Sequence, residues 1–126
     1  MTSDELNDFA ARYAGTWCSR DPEAVVAFYA PNASISVNDG APTPIGEVAR
    51  SFMRDFPDMI VTFDKLDPRA DRTAFHWTLT GTNAGTGNHV RISGYELWKI
   101  DNAGLIAESK GHFDAADYER QLKGKR

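Results

Sequence analysis

Two side chains near the end of this sequence carry groups that can move protons. Asp114 ends an alternating run at GHFD, immediately before a short helical pattern, and His112 lies two residues earlier. If the strand continues that far, both side chains project from one face of it. A carboxylate in an apolar cavity has a raised pKa and can exchange protons with a carbon acid or a carbonyl oxygen. Asp114 is therefore the first candidate acid or base, and His112 could orient it or shuttle a proton.

The position of Asp114 also fits a structural role. Aspartate is a favoured N-cap, worth about 1 kcal/mol over alanine, and Asp117 three residues later gives a partial capping box. The two roles are compatible if one oxygen caps the helix and the other faces a cavity. A carboxylate turned only to the amides of Ala116 and Asp117 would favour a non-catalytic protein. His112, likewise, fits a partly exposed residue at a strand end.

Glu96 is another candidate for proton transfer, and its role depends on which face of its strand is interior. It shares strand parity with Trp98. On an interior face, apolar surroundings would raise the pKa of Glu96. On an exterior face, it would be a solvated residue or a dimer contact. Gly94 separates two halves of the strand whose apolar residues differ in parity, and this pattern predicts a β-bulge there.

The aromatic content predicts a pocket for a flat, apolar small molecule. Most of these rings belong to the core, but some should line a cavity. The expected lining residues are Trp17, Phe52, Phe56, Tyr95 and Trp98.

Several other kinds of site are disfavoured. The three histidines lie in separate segments without a helical pair, so no metal site is expected. The GTNAGTG run connects two strands and lacks the helix that a phosphate loop needs. No nucleophile elbow is present, and nothing next to Cys18 would activate its thiol. We therefore expect a protein without a metal or another cofactor.

Composition indicates one domain spanning residues 1–126, with an ordinary globular balance of 41% hydrophobic residues. The net charge of -4 argues against nucleic-acid binding. No apolar run reaches the roughly 20 residues that would cross a bilayer. The acidic start of the chain does not resemble a signal peptide, so we expect a cytoplasmic protein that does not bind membranes.

Hydrophobic periodicity predicts an α+β fold. A helix over about 4–18 comes first, followed by a short helix that Asp21 caps and Pro22 starts. A strand at ASISV and a helix that Thr43 caps and Pro44 starts follow. Four strands then succeed one another, with turns at DPRAD and DNAG, before a helix over about 115–122. Segregated helices and strands predict a mainly antiparallel, curved sheet packed on the helices, as a cone with a hollow end.

Four stretches carry a resemblance over nearly the whole chain: WCSRDPEAVVAFYAPNASI, TPIGEVARSFMRDFPDM, TLTGTN and IAESKGHFDAADYERQL. They resemble the SnoaL-like branch of the nuclear transport factor 2-like superfamily, which includes polyketide cyclases. The resemblance implies a cone-shaped α+β barrel, often dimeric through its outer sheet face, with a pocket between sheet and helices. It also implies an acid or base at Asp114, since cyclase-like members have a carboxylate near the end of the last strand.

Two positions depart from patterns in that superfamily. Asn83 stands where many cyclase-like members have the histidine of GTH. Gly94 occupies the position of the arginine that epoxide hydrolases of this superfamily place two residues before an acid, here Glu96. Epoxide hydrolysis by that arrangement is therefore disfavoured.

Two functional hypotheses remain from the sequence. The first is a cofactor-independent cyclase, isomerase or dehydratase acting on a hydrophobic, carbonyl-bearing substrate. Asp114 would be the acid or base, His112 or Glu96 would assist, and a bound water or neighbouring donor would stabilise an enolate-like oxygen. The second is a non-catalytic, dimeric protein that binds a ligand or a partner through the same fold.

Overall fold

A computed structural model describes residues 1–69 and 71–124 of the chain. Ala70, inside the predicted DPRAD turn, and residues 125 and 126 lie outside the described part. The helices are α1 (Ser3–Trp17), α2 (Pro22–Val26), α3 (Ile45–Asp55) and α4 (Ala115–Leu122). The strands are β1 (Tyr29–Val37), β2 (Thr43–Pro44), β3 (Ile60–Pro68), β4 (Thr73–Thr82), β5 (His89–Ile100) and β6 (Ile106–Phe113).

The helix starts follow local capping chemistry, with one exception. Thr2 and Glu5 form a reciprocal capping box, so α1 begins slightly earlier than predicted. Asp21 caps α2 as predicted, by accepting a hydrogen bond from the amide of Glu23. The predicted cap at Thr43 is wrong, because its hydroxyl donates to the carbonyl of Ala41 at 3.2 Å and α3 begins without a side-chain cap.

The strands form one curved, unclosed sheet in the order β2-β1-β6-β5-β4-β3. All neighbours are antiparallel except β1 and β6, which run parallel. The predicted α+β architecture is confirmed, with the sheet open at its edges. Its inner face packs against the helices and carries the core.

The predicted bulge at Gly94 is wrong. Strands β4 and β5 pair in continuous register from Thr73 opposite Trp98 to Thr82 opposite His89. The even-numbered apolar residues of β5 therefore all face inward, together with Glu96. The mixed parity in the sequence arises because the outer face is partly apolar too, at Tyr95 and Leu97.

The described residues include no helix long and apolar enough to cross a membrane. The homodimer, the cytoplasmic location and the single domain over 1–126 stay predictions. 

Candidate active site

A pocket opens between the inner face of the sheet and the helices. Its cavity volume is about 60 Å³, and the whole depression measures about 520 Å³ when the open solvent space at its mouth is included. Glu96 is the charged residue among its walls, which are otherwise apolar. The lining residues are Trp17, Ile35, Val37, Val48, Phe52, Val61, Trp77, Leu79, Glu96, Gly111 and Phe113.

The pocket-lining side chains differ in how far they are buried. Trp17 from α1 and Leu79 from β4 are buried, whereas Val37, Phe52 and Phe113 are half-buried. Such a combination of half-buried and buried apolar walls is usual for small-molecule sites.

Glu96 sits in β5 with its side chain almost completely buried, at 6% exposure. Strand β5 directs it inward because it alternates with the outward-facing Tyr95 and Leu97. Four neutral donors contact its Oε1: the hydroxyl groups of Tyr13, Tyr29 and Ser109 at 3.0, 3.1 and 2.9 Å, and the indole N–H of Trp98 at 3.1 Å.

The two carboxylate oxygens of Glu96 differ sharply. All four donors converge on Oε1, whereas Oε2 accepts one longer hydrogen bond, from Tyr13 at 3.3 Å. The donors come from α1, β1, β5 and β6, so the fold itself fixes the carboxylate. Oε2 therefore keeps unused hydrogen-bonding capacity.

Burial raises the pKa of Glu96 above its ordinary value, because an apolar environment penalises the charged form. The hydrogen bonds from Trp98, Ser109, Tyr13 and Tyr29 act in the opposite direction and only partly offset burial. Burial, and then the nearby Glu96 charge, also raise the pKa of both tyrosines well above the ordinary range. Both phenols therefore remain protonated donors at neutral pH.

The phenols of Tyr13 and Tyr29 also lie 2.9 Å from each other. Each carries one proton, so both can donate to an ionised Glu96. If Glu96 takes up a proton, one phenol can donate to the other instead. The network can therefore satisfy its hydrogen bonds in either protonation state of the carboxyl.

Asp114 lies elsewhere. It is exposed and is not among the residues that line the pocket. Its Oδ1 accepts a hydrogen bond from the amide of Asp117 at 3.0 Å, as the N-cap of α4. The predicted capping role is confirmed, whereas the expected position of its second oxygen beside a cavity is not found. The chain turns from strand to helix at this residue, and the turn carries its side chain outward.

His112 faces the side of the sheet opposite Glu96. It pairs with Tyr95 across β5 and β6, and their rings lie 5.1 Å apart between centroids. Tyr95 also contacts His76 of β4, at 5.7 Å between centroids. The structure therefore does not bring Asp114, His112 and Glu96 together, and the placement of Tyr95 in the pocket is wrong because its strand parity turns it outward.

The other aromatic predictions divide in two. Trp17 and Phe52 line the pocket as expected. Phe56 and Trp98 do not, because they are packed in the core with 1% and 0% exposure. Trp98 nevertheless contributes to the site, since its indole holds Glu96.

Three residues that hold Glu96 were not predicted from the sequence: Tyr13, Tyr29 and Ser109. The tyrosines read as core aromatics, although a buried phenol normally needs a hydrogen-bonding partner. Ser109 is a polar residue at an inward position of β6 and has 1% exposure. Both features are signals of a buried polar network, but neither identifies the partner.

Among residues 1–69 and 71–124, no cluster of three or more His, Cys, Asp or Glu side chains is arranged to hold a metal ion. The chemistry available in the described pocket is therefore that of one carboxyl, its donors and apolar surfaces.

Comparison with known proteins agrees with this architecture. The profile of the SnoaL-like domain matches residues 10–109. AclR from Streptomyces galilaeus, a proposed hydroxylase, superposes with a TM-score of 0.82 at 16% identity, covering 99% of this chain and 100% of that one. IdmH from Streptomyces antibioticus, a proposed polyketide cyclase, gives a TM-score of 0.74 at 23% identity, covering 93% and 97%.

A third structure, a proposed SnoaL-like polyketide cyclase from Jannaschia sp. CCS1, gives a TM-score of 0.76 at 14% identity, covering 94% and 92%. No curated protein matches the sequence significantly. At these identities the solved structures show the fold, and the resemblance seen in the sequence is confirmed.

Proposed function

This chain belongs to the SnoaL-like domain family, and we propose that it is a cofactor-independent enzyme that transfers protons on an apolar, carbonyl-bearing small molecule. Glu96 replaces Asp114 as the proposed acid or base. The observation that carries the proposal is its buried carboxyl, anchored through one oxygen in the wall of an apolar pocket.

The chemistry requires one group that accepts and returns a proton. Glu96 Oε2 would take a proton from the carbon next to the substrate carbonyl; the C–H bond breaks, an O–H bond forms, and the electron pair moves onto the carbonyl oxygen as an enolate. Return of the proton to another carbon completes isomerisation. Isotope exchange is complete when the Glu96 O–H trades its proton with solvent before the original carbon is reprotonated. A pKa raised by burial strengthens Glu96 as a base and brings it closer to neutral pH.

The surrounding donors support this cycle. The Tyr13–Tyr29 contact lets the network accommodate both protonation states of Glu96. Anchoring of Oε1 by Ser109 and Trp98 restricts rotation of the carboxyl, so Oε2 is presented in one orientation. The apolar walls keep the carboxyl in surroundings of low polarity, which strengthens its electrostatic contacts with the substrate.

Deuterium exchange of 2-tetralone, a flat bicyclic ketone with acidic C–H bonds, tests the proposal. Proton NMR in D₂O follows the loss of its α-proton signals with wild-type protein, E96Q and D114N. We expect wild type to accelerate exchange and E96Q to lose about 10² or more of that acceleration, the usual contribution of an acid–base group. D114N is the control, since asparagine also caps helices and Asp114 lies outside the pocket.

Equal acceleration by E96Q and wild type would contradict a role for Glu96. Loss of exchange in D114N, with Glu96 intact and the fold retained, would instead return the role to Asp114. Circular dichroism of each variant verifies that the fold is kept.

A second candidate function is ligand binding without turnover. The observation that favours it is the set of four neutral donors on Glu96, which satisfies the buried carboxyl without a ligand, while Asp114 only caps α4. On this hypothesis the donors around Glu96 serve only to satisfy a buried carboxyl. Binding of 2-tetralone with no acceleration of its exchange would support ligand binding over catalysis.

A further inference from the structure

Gly111 is a pocket-lining residue with no side chain, placed directly beside the candidate carboxyl. It pairs with Glu96 across β5 and β6, and the two residues therefore share the inner face of the sheet. Gly111 is buried and forms part of the pocket wall. Any side chain at this position would project into the space next to Glu96.

Neither packing nor backbone conformation requires glycine at Gly111. A Cβ atom there would lie 3.5 Å from Ile35 Cδ1, 3.8 Å from the Ser36 carbonyl oxygen and 3.9 Å from Glu96 Cγ, all ordinary contact distances. Glycine inside a strand is less favourable for folding than alanine, because it loses more chain entropy. Alanine should therefore be the more stable residue at this position, and glycine leaves a space of about one methyl group in the pocket wall.

Gly94 provides the contrast on the neighbouring strand. A Cβ there would overlap the carbonyl oxygen of His112 and lie 2.7 Å from the Trp77 ring. Gly94 is thus explained by close packing, whereas Gly111 is not. The two inward glycines have different causes, and only the space at Gly111 is available to a ligand.

We propose that the gap at Gly111 receives the planar, hydroxyl-bearing edge of a flat fused-ring ligand, whose O–H donates to Glu96 Oε2. The space lies beside the Glu96 side chain, since a Cβ on Gly111 would be 3.9 Å from Glu96 Cγ. Oε2 has the acceptor capacity for this hydrogen bond, since its one existing bond is the 3.3 Å contact from Tyr13. Gly111 would then determine specificity, by favouring ligands whose hydroxyl-bearing edge is planar.

The inference rests on the proposed function for its site, because an enol form of a ketone substrate presents such an edge. Its test measures binding, not turnover. The probe is 2-naphthol, a planar analogue of the enol of 2-tetralone, and its affinity is measured by isothermal titration calorimetry. 2-Methylnaphthalene has nearly the same shape without the hydroxyl donor and serves as the matched ligand control.

Three proteins are compared: wild type, G111A and G15A. The control G15A makes the same substitution at an exposed position of α1, where an added Cβ meets nothing within 4 Å. We expect wild type and G15A to bind 2-naphthol equally, and G111A to bind it about tenfold or more weakly, since overpacking a fitted site is destabilising. The melting temperature of G111A should equal or exceed that of wild type.

The preference for 2-naphthol over 2-methylnaphthalene should also shrink in G111A, because its Cβ displaces the hydroxyl from Glu96. If G111A does not fold, a methyl group is added to the ligand in place of the Cβ. In that case 3-methyl-2-naphthol should bind wild type about tenfold or more weakly than 2-naphthol. Equal affinity of folded G111A and wild type, or no binding of 2-naphthol by wild type, would overturn the inference.

The two proposals can fail separately. Weak binding to G111A combined with no exchange of 2-tetralone by wild type would support the role of Gly111 and contradict catalysis. Exchange that depends on Glu96, combined with equal naphthol affinity in G111A, would support catalysis and overturn the role of Gly111.

Discussion

Replacing Ser109 by alanine isolates one of the donors that hold Glu96. Its hydroxyl is 2.9 Å from Oε1, and the residue is 1% exposed. A hydrogen bond to a charged group is worth about 1.5–3 kcal/mol. Because the three other donors at 3.0–3.1 Å remain on the same oxygen, we expect the lower end, about 1.5 kcal/mol of unfolding free energy, when Glu96 is ionised.

The penalty should depend on pH, and its sign follows from the Glu96 pKa. Burial raises that pKa in the folded state, so the stability contributed by proton binding is present at low pH and is lost as pH rises through the folded pKa. The Ser109 bond opposes this rise by stabilising the carboxylate. S109A should therefore cost more at high pH, where Glu96 is ionised, than at low pH, where it is neutral.

Urea unfolding at about pH 4, below the ordinary glutamate pKa, and at about pH 8 measures both penalties. The matched control is S93A, whose hydroxyl lies 2.8 Å from that of Thr78 on the exposed outer face. The control should change stability by less than about 0.5 kcal/mol at either pH. A penalty for S109A that is no larger than that of S93A, or that does not grow with pH, would refute the proposed coupling between Ser109 and Glu96.

Three further predictions concern stability. Gly94→Ala should lower the free energy of unfolding by about 2 kcal/mol or more, because its Cβ would overlap the His112 carbonyl oxygen; an unchanged urea midpoint would show that β5 has room there. Asp114→Ala should cost about 1 kcal/mol through loss of the α4 cap, whereas D114N should cost less; equal penalties in thermal unfolding would argue against capping. A raised Glu96 pKa makes wild type lose stability as pH rises above the unfolded-state pKa of glutamate, by about 1.4 kcal/mol for each unit of elevation, and Glu96→Gln should remove this loss. Parallel curves of stability against pH for the two proteins would contradict a raised pKa at Glu96.

The fold was predictable because its signals are local. Apolar spacing in α1 and α3, proline at the first position of α2 and alternation in β4 each specify an element without information from distant residues. The register shift between β3 and β4 is also visible in the sequence pattern. The inward residues of β3 change from odd to even between Phe63 and Leu66, where the pairing with β4 shifts by one residue.

The inward direction of Glu96 was ambiguous in sequence because β5 is apolar on both faces. Tyr95 and Leu97 made the strand look as though it changed parity at Gly94. Only pairing with β4 and β6 shows that the register is unbroken there. A sequence pattern alone cannot separate a bulge from a sheet whose outer face is also half-buried.

The site depended on contacts that no local pattern contains. Tyr13 and Tyr29 precede Glu96 by 83 and 67 residues, and Ser109 follows it by 13. Asp114 was the more visible carboxyl because it marks the junction of a strand and a helix. That same junction explains why Asp114 caps α4 and why its side chain is exposed. The sequence pattern around Asp114 therefore indicated a helix cap and not a catalytic group.

The central claim is that Glu96 is a proton-transfer group with a raised pKa in contact with the ligand. Carbon-13 NMR of protein labelled at the glutamate side-chain carboxyl measures this directly, with E96Q identifying the resonance. We expect a pKa for Glu96 above the usual glutamate value of about 4.3 and a shift of its resonance when 2-naphthol binds. An ordinary pKa together with a resonance that does not respond to bound 2-naphthol would contradict it.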